Sequence, residues 1–142
     1  MQIHRQALVR FTPEQMFDLV NDVEAYPSRF AWCLGAQVSE RDEGHVVARL
    51  DLRFAGVTQH FTTHNVLDRP STIAMQFVDG PFDWLHGVWS FKPLGSDGCK
   101  VALDLDFEVS NKLTGFAFGL GFRKLADRMV DDFCAEAKRA YA

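Results

Sequence analysis

His60 and His64 stand four residues apart. On a helix that spacing puts two imidazoles on one face and clamps a metal ion. On a strand it separates them by about 13 Å, too far to share one. The flanking residues 57–67 read as strand, so both are surface histidines, in company with His4, His45 and His86, and no metal site is expected. Asp104, Asp106 and Glu108 alternate along another strand pattern and share its wet face, which is solvation rather than an acid/base pair. Cys33, Cys99 and Cys134 are widely spaced with no C-x-x-C, which excludes a zinc ribbon or a thioredoxin-type pair. Cys33 follows Trp32 with no base beside it in sequence, the setting of a buried, inert thiol. Gly119-Leu120-Gly121 opens no dinucleotide fingerprint, because Lys124 stands where the third glycine belongs. No G-x-S-x-G, P-loop or H-E-x-x-H occurs. No catalytic residue is nominated, and a non-enzymatic protein is the expectation.

The totals agree. The 142 residues make one domain, 1–142, long enough to bury a sizeable core. A formal net charge of −4 argues against a protein held to DNA or RNA mainly by phosphate contacts, and no direct DNA binding is expected. Thirteen Phe against two Tyr make the aromatic surface nearly free of hydroxyls, which suits both a core and a pocket for an oily ligand. The opening "MQIHRQALVRF" is too polar for a signal peptide, and no apolar run approaches about 20 residues, so cytoplasmic residence with reduced thiols is expected.

The elements follow from period and punctuation. "FTPEQM" carries a helix start: Thr12 as cap, Pro13 in the first turn, and Gln15 completing a capping box. Met16, Phe17, Leu19, Val20 and Val23 supply that helix's buried face. Pro27 ends the run, with room for another helical turn after it. Strand patterns then follow over 36–41, 46–54, 57–67, 72–78, 84–93 and 101–109, separated by "DEG", "AG", "RPS", "DGP" and "GSDG". Along 84–93, Leu85, Gly87, Trp89 and Phe91 fall on one face, the inner one. From Lys112 to the C-terminus the period is helical, with Ser110 or Asn111 as cap. This is an α+β order, β-α-α-β6-α, in which a curved antiparallel sheet of about seven strands wraps a long terminal helix.

The start of that helix is unusual. "GFAFGLGF", Gly115 to Phe122, is apolar all round and holds three glycines, each costing about 1 kcal/mol relative to alanine in a helix interior. Its inner face meets Gly115, Phe118, Gly119 and Phe122; its outer face meets Leu113, Phe116 and Leu120. Two readings follow. Either helix and sheet approach closely here and a loop covers the outer side, or the glycines leave an apolar void and the outer patch docks on a membrane or partner. Lys112, Arg123, Lys124 and Arg128 add a weak basic character that Asp127, Asp131 and Asp132 dilute.

Three stretches, "FTPEQMFDLVNDVEAYPSRFAWC", "DGPFDWLHGVWSF" and "FEVSNKLTGFAFG", together resemble the polyketide cyclase/START-like superfamily, in the branch of coenzyme Q-binding proteins and the bacterial ribosome association toxin. One departure is Ala31, where the family commonly has proline. The resemblance runs from end to end and implies a helix-grip fold (START-like, Bet v 1-like) with a hydrophobic tunnel. It implies a carrier of ubiquinone or a similar polyprenyl lipid that supports respiration at the inner-membrane surface. The alternative it implies is a protein that binds the large ribosomal subunit and blocks subunit association. A polyketide aromatase/cyclase is a third reading, requiring a polar group inside the tunnel, and Thr63 and Asn65 are the inward candidates. The expected lining is Phe17, Trp32, Phe61, Met75, Phe77, Trp89, Phe91, Gly115, Phe118, Gly119 and Phe122. Tyr26 and Trp84 are expected at the mouth, and Leu113, Phe116 and Leu120 on the membrane or partner patch.

Overall fold

The computed structural model describes residues 1–54, 56–110 and 115–141. Seven strands form one antiparallel sheet: β1 (Gln2–Val9), β2 (Cys33–Arg41), β3 (His45–Phe54), β4 (Val57–Asp68), β5 (Thr72–Asp79), β6 (Phe82–Leu94) and β7 (Gly98–Val109). Their order is β1-β7-β6-β5-β4-β3-β2, so the first strand pairs with the last and every other neighbour is a hairpin. Helix α1 (Pro13–Asn21), a 3-10 turn (Val23–Ala25) and the short α2 (Tyr26–Arg29) connect β1 to β2. Helix α3 (Gly115–Tyr141) closes the chain. This is the expected α+β helix-grip architecture.

The local signals are built as read. Thr12 accepts from the Gln15 backbone N–H at 3.1 Å, and the Gln15 side chain accepts from the Thr12 N–H at 2.9 Å, so both halves of the capping box are made. Pro27 sits inside the first turn of α2 rather than ahead of it, where its missing N–H leaves no bond unmade. The hairpin between β5 and β6 turns at Gly80, φ +143°, where an added Cβ would lie 2.6 Å from the Phe61 Cβ. Only glycine meets both demands. Register shifts interrupt β2–β3, β4–β5 at Thr62/Thr63, and β6–β7 at Phe82/Trp84. Bulges of this kind add bend and twist to a ladder and help the sheet curve round α3.

Alternation divides the sheet into two faces. On β6, Phe82, Leu85, Gly87, Trp89 and Phe91 are buried while Trp84, His86 and Val88 are exposed. On α3, Phe118, Phe122, Leu125, Ala126, Val130, Phe133 and Ala137 are buried, and the helix lays this stripe on the concave face. Among the described residues no helix is long and apolar enough to cross a membrane.

Candidate functional site

Between α3 and the concave sheet lies a cavity of about 70 Å³. Every layer contributes to it. Val23, Tyr26 and Trp32 come from the connection before β2; Ala48, Leu50 and Leu52 from β3; Phe61, Thr63 and Asn65 from β4; Met75 from β5. Leu85 and Trp89 come from β6, Leu103 and Leu105 from β7, and Phe122 and Met129 from α3. Phe122 and Met129 are seven apart, two helical turns, so one face of α3 forms that wall.

The lining is apolar except at one place. Thr63 and Asn65 share the inward face of β4, only 6% and 7% exposed. The Thr63 hydroxyl donates to Asn65 Oδ1 at 2.8 Å. Across the strands, Thr63 stands between Ala48 and Phe77, and Asn65 between Val46 and Met75. Further along the same row Gly87 separates Met75 from Leu105. A Cβ there would come within 2.7 Å of Leu105 Cδ1, 3.0 Å of Met75 Cε and 3.1 Å of the Asp104 carbonyl oxygen.

Tyr26 is the one titratable group among these lining residues. Its hydroxyl donates to the Val20 carbonyl oxygen, and burial pushes its ionisation far above the ordinary phenol value. With no carboxylate, imidazole or thiol among these lining residues, the wall matches an apolar surface and offers little for proton transfer. The end of the cavity near α2 is tied to α3. Phe30 stacks on Trp32 at 4.8 Å and 11°, the Trp32 Nε1–H donates to Asp132 at 3.1 Å, and Arg29 donates to Glu136 at 2.9 Å. Four lining side chains, Leu50, Phe61, Met75 and Met129, are only half-buried.

Residues 9–134 match the polyketide cyclase/dehydrase and lipid transport family. The chain belongs to that family. It is 48% identical over 140 residues to the ribosome association toxin RatA of Vibrio cholerae, covering 99% of this chain and 97% of the relative. It is 28% identical over 135 residues to the mitochondrial coenzyme Q-binding protein COQ10 homolog B of Xenopus laevis, covering 92% of this chain and 55% of the relative. Among solved structures, the Zhui aromatase/cyclase from Streptomyces sp. R1128 superposes with a TM-score of 0.86. It covers 100% of this chain and 96% of that one at 20% identity, a likeness of fold.

Within this family frame the structure sorts the residues expected from sequence. Trp32, Phe61, Met75, Trp89 and Phe122 line the cavity, and so does Tyr26, as wall rather than mouth. Phe17 and Phe91 do not. They meet edge-to-face at 5.8 Å where α1 covers β6, beyond the end of the cavity. Phe77 and Phe118 do not either; both pack on Phe82, at 5.9 and 5.7 Å, on the side of its ring cluster away from the cavity. Trp84 lies on the convex face, 42% exposed and stacked on His86, away from any mouth. Gly119 makes no room in the cavity: a Cβ there would meet Met1 Cε at 3.2 Å and Val109 Cγ2 at 3.7 Å. At Gly119 the inner side is therefore filled, by Met1 and Val109, as in the close-approach reading, while the cover that reading placed over Leu120 is not found, Leu120 being exposed.

Phe82 explains the difference. Its ring contacts Phe61, Phe77, Phe107, Phe118 and Phe122, filling the space under the start of α3 where a void was expected. The cavity sits further along, under the middle of the helix. Leu120 is 45% exposed on the outer side. Leu113, and the side-chain surroundings of Gly115 and Phe116, lie outside the described residues.

Sequence reasoning missed Phe82 and, as lining, Val23, Leu85, Leu103, Leu105, Met129 and the β3 residues Ala48, Leu50 and Leu52. For Leu103, Leu105 and Met129 the signal was present, as the inner phase of β7 and the inner face of α3.

The thiols are quiet. Burial pushes Cys33 up to about 11 and Cys99 likewise to about 11, far from the range of a nucleophile. Among the described residues no cluster of His, Cys, Asp or Glu has the geometry of a metal site.

Proposed function

We propose that this chain binds an apolar small molecule of the polyprenyl-quinone kind between α3 and the sheet and holds it without chemical change. The observation that carries the reading is the cavity itself: a wall drawn from every layer, apolar but for Thr63 and Asn65, without an acid/base pair. The lipid-transport family and the relative named for coenzyme Q binding support the same ligand class.

Size sets a condition on this reading. Pockets for drug-sized ligands run from about 300 Å³ upward, and an engineered cavity of about 150 Å³ takes benzene. At about 70 Å³ this cavity must widen to admit a ring and the start of a tail. Met75 and Met129 are the side chains suited to give way, being unbranched, half-buried and on facing walls. The remaining tail then leaves past Leu50 and Phe61. Its burial contributes roughly 25 cal/mol per Å², offset in part by ordering of the tail.

The test is mass spectrometry of organic extracts from gently purified protein, with thermal melts in added short-chain quinone. A quinone or isoprenoid lipid should copurify, and added quinone should raise the melting temperature. No copurifying lipid together with no stabilisation would sink the reading.

A second reading is action on the ribosome, in the cytoplasm, by binding the large subunit. The end-to-end 48% identity with the relative named ribosome association toxin favours it. With a net charge of −4, docking through ribosomal protein fits better than docking on RNA phosphates. Overexpression should then lower the 70S peak in sucrose gradients, and an unchanged peak would contradict it. The two roles are compatible, since ligand and ribosome would use the inside and the outside of one domain.

A further inference from the structure

The Thr63–Asn65 pair has a consequence for which ligands the cavity accepts. A primary amide offers two N–H donors and one carbonyl oxygen. In Asn65 the oxygen is engaged by the Thr63 hydroxyl at 2.8 Å. The amide nitrogen has no hydrogen-bond partner among the described residues, although the side chain is more than nine-tenths buried. It is also not shut off on all sides: among the described residues the fully buried side-chain atoms without partners are Asn21 Oδ1 and Arg29 Nε, and the Asn65 nitrogen is not one of them. Asn65 lines the cavity, so the accessible direction for its donors is the cavity. A buried polar group without a partner costs about 1–3 kcal/mol, and a fold retains such a group at low cost only where something completes it.

We propose that Asn65 is the donor that selects, among apolar ligands, those carrying a carbonyl oxygen. The proposal rests on the ligand-binding reading above and adds a specificity determinant to it. Thr63 is the positioning residue: by taking the amide oxygen it turns the N–H groups toward the guest. A ring carbonyl seated against β4 would accept from Asn65 while the rest of the ring packs on Trp89, Phe122 and Leu105. A pure hydrocarbon of the same shape would leave both donors unsatisfied, and that difference is what discriminates.

Duroquinone and durene are the matched probes, the same methylated ring with and without its two carbonyl oxygens. Equilibrium dialysis of the full chain against each gives the preference directly. The wild type should bind duroquinone about tenfold more tightly than durene. Asn65→Leu should erase the preference by weakening duroquinone about tenfold while durene binds as well as before or better. Thr63→Val, which frees the amide without removing it, should reduce the preference while leaving durene unchanged; it serves as the readout if Asn65→Leu does not fold. Equal binding of the two probes by the wild type, or an undiminished preference in the variants, would overturn the role of Asn65 and leave the ligand-binding reading standing. Failure of both probes to bind the wild type would overturn both.

Discussion

The rings of Phe82 and Phe122 lie 4.9 Å apart at 67°, edge to face, and this pair joins the first residue of β6 to the inner face of α3. It fills the region under the start of the helix and so sets where the cavity can begin.

Phe82→Ala should therefore be among the most damaging single truncations, costing about 3–5 kcal/mol. For a domain of this size that lowers the melting temperature by on the order of 10 °C. Phe77→Ala, half-buried at the edge of the same cluster, should cost clearly less. Thermal or urea melts of the two variants check the order, and equal losses would contradict the central place given to Phe82.

Gly87→Ala tests the cavity wall. The new methyl must push on Leu105, Met75 and the Asp104 backbone, and overpacking of this kind costs about 1–3 kcal/mol. Met75 is the easiest of the three to displace, and moving it narrows the site, so ligand affinity should fall along with stability. A melt together with dialysis against duroquinone reads both.

Glu136 gives an acid limb to stability. Arg139 and then Arg29 hold its carboxyl below the usual Glu value of about 4.3, while burial opposes them. A carboxyl lowered in the folded state stabilises fully above that value and loses its contribution as pH falls through the lowered one. Between about pH 5 and 3, stability should decline less steeply in Glu136→Gln than in wild type. Parallel pH–stability curves would show that the α2–α3 tie carries no such linkage.

Leu120 is exposed on the outer side of α3. Leu120→Ser should change stability by no more than about 0.5 kcal/mol. If this face meets a membrane, the variant should cosediment less with anionic lipid vesicles than the wild type does. Unaltered vesicle binding removes Leu120 from the proposed patch.

Much of this was legible in the residues. Strict alternation along β3 and β7 gave the sheet its wet and dry faces, and Thr12 with Gln15 marked the start of α1. The phase of β4 put Phe61, Thr63 and Asn65 on one side, where they line the cavity. The same rule applied to β6 places Trp84 with His86 and Val88 on the outer face, so its removal from the mouth was readable from parity alone. What periodicity does not carry is depth. Phe17 and Phe61 are both inward, yet Phe17 packs on Phe91 where α1 covers β6 and Phe61 faces the cavity, and only the placement of α1 on the curved sheet separates them. Gly119 was ambiguous for a related reason: a missing side chain permits either a void or a close approach, and Met1 and Val109 decide which. Phe82 lay hidden behind the turn at Gly80, because a bulge starts β6 two residues before its alternation becomes regular.

The most direct test is a tryptophan fluorescence titration with duroquinone in Trp84→Phe, which leaves Trp32 and Trp89, both in the cavity wall, as the emitters. The account predicts quenching that saturates at one quinone per chain and is relieved when durene or an isoprenoid alcohol, neither of which carries a quinone ring, competes. Quenching that rises linearly without saturation, no stronger than for free tryptophan, would show that no guest enters between the helix and the sheet.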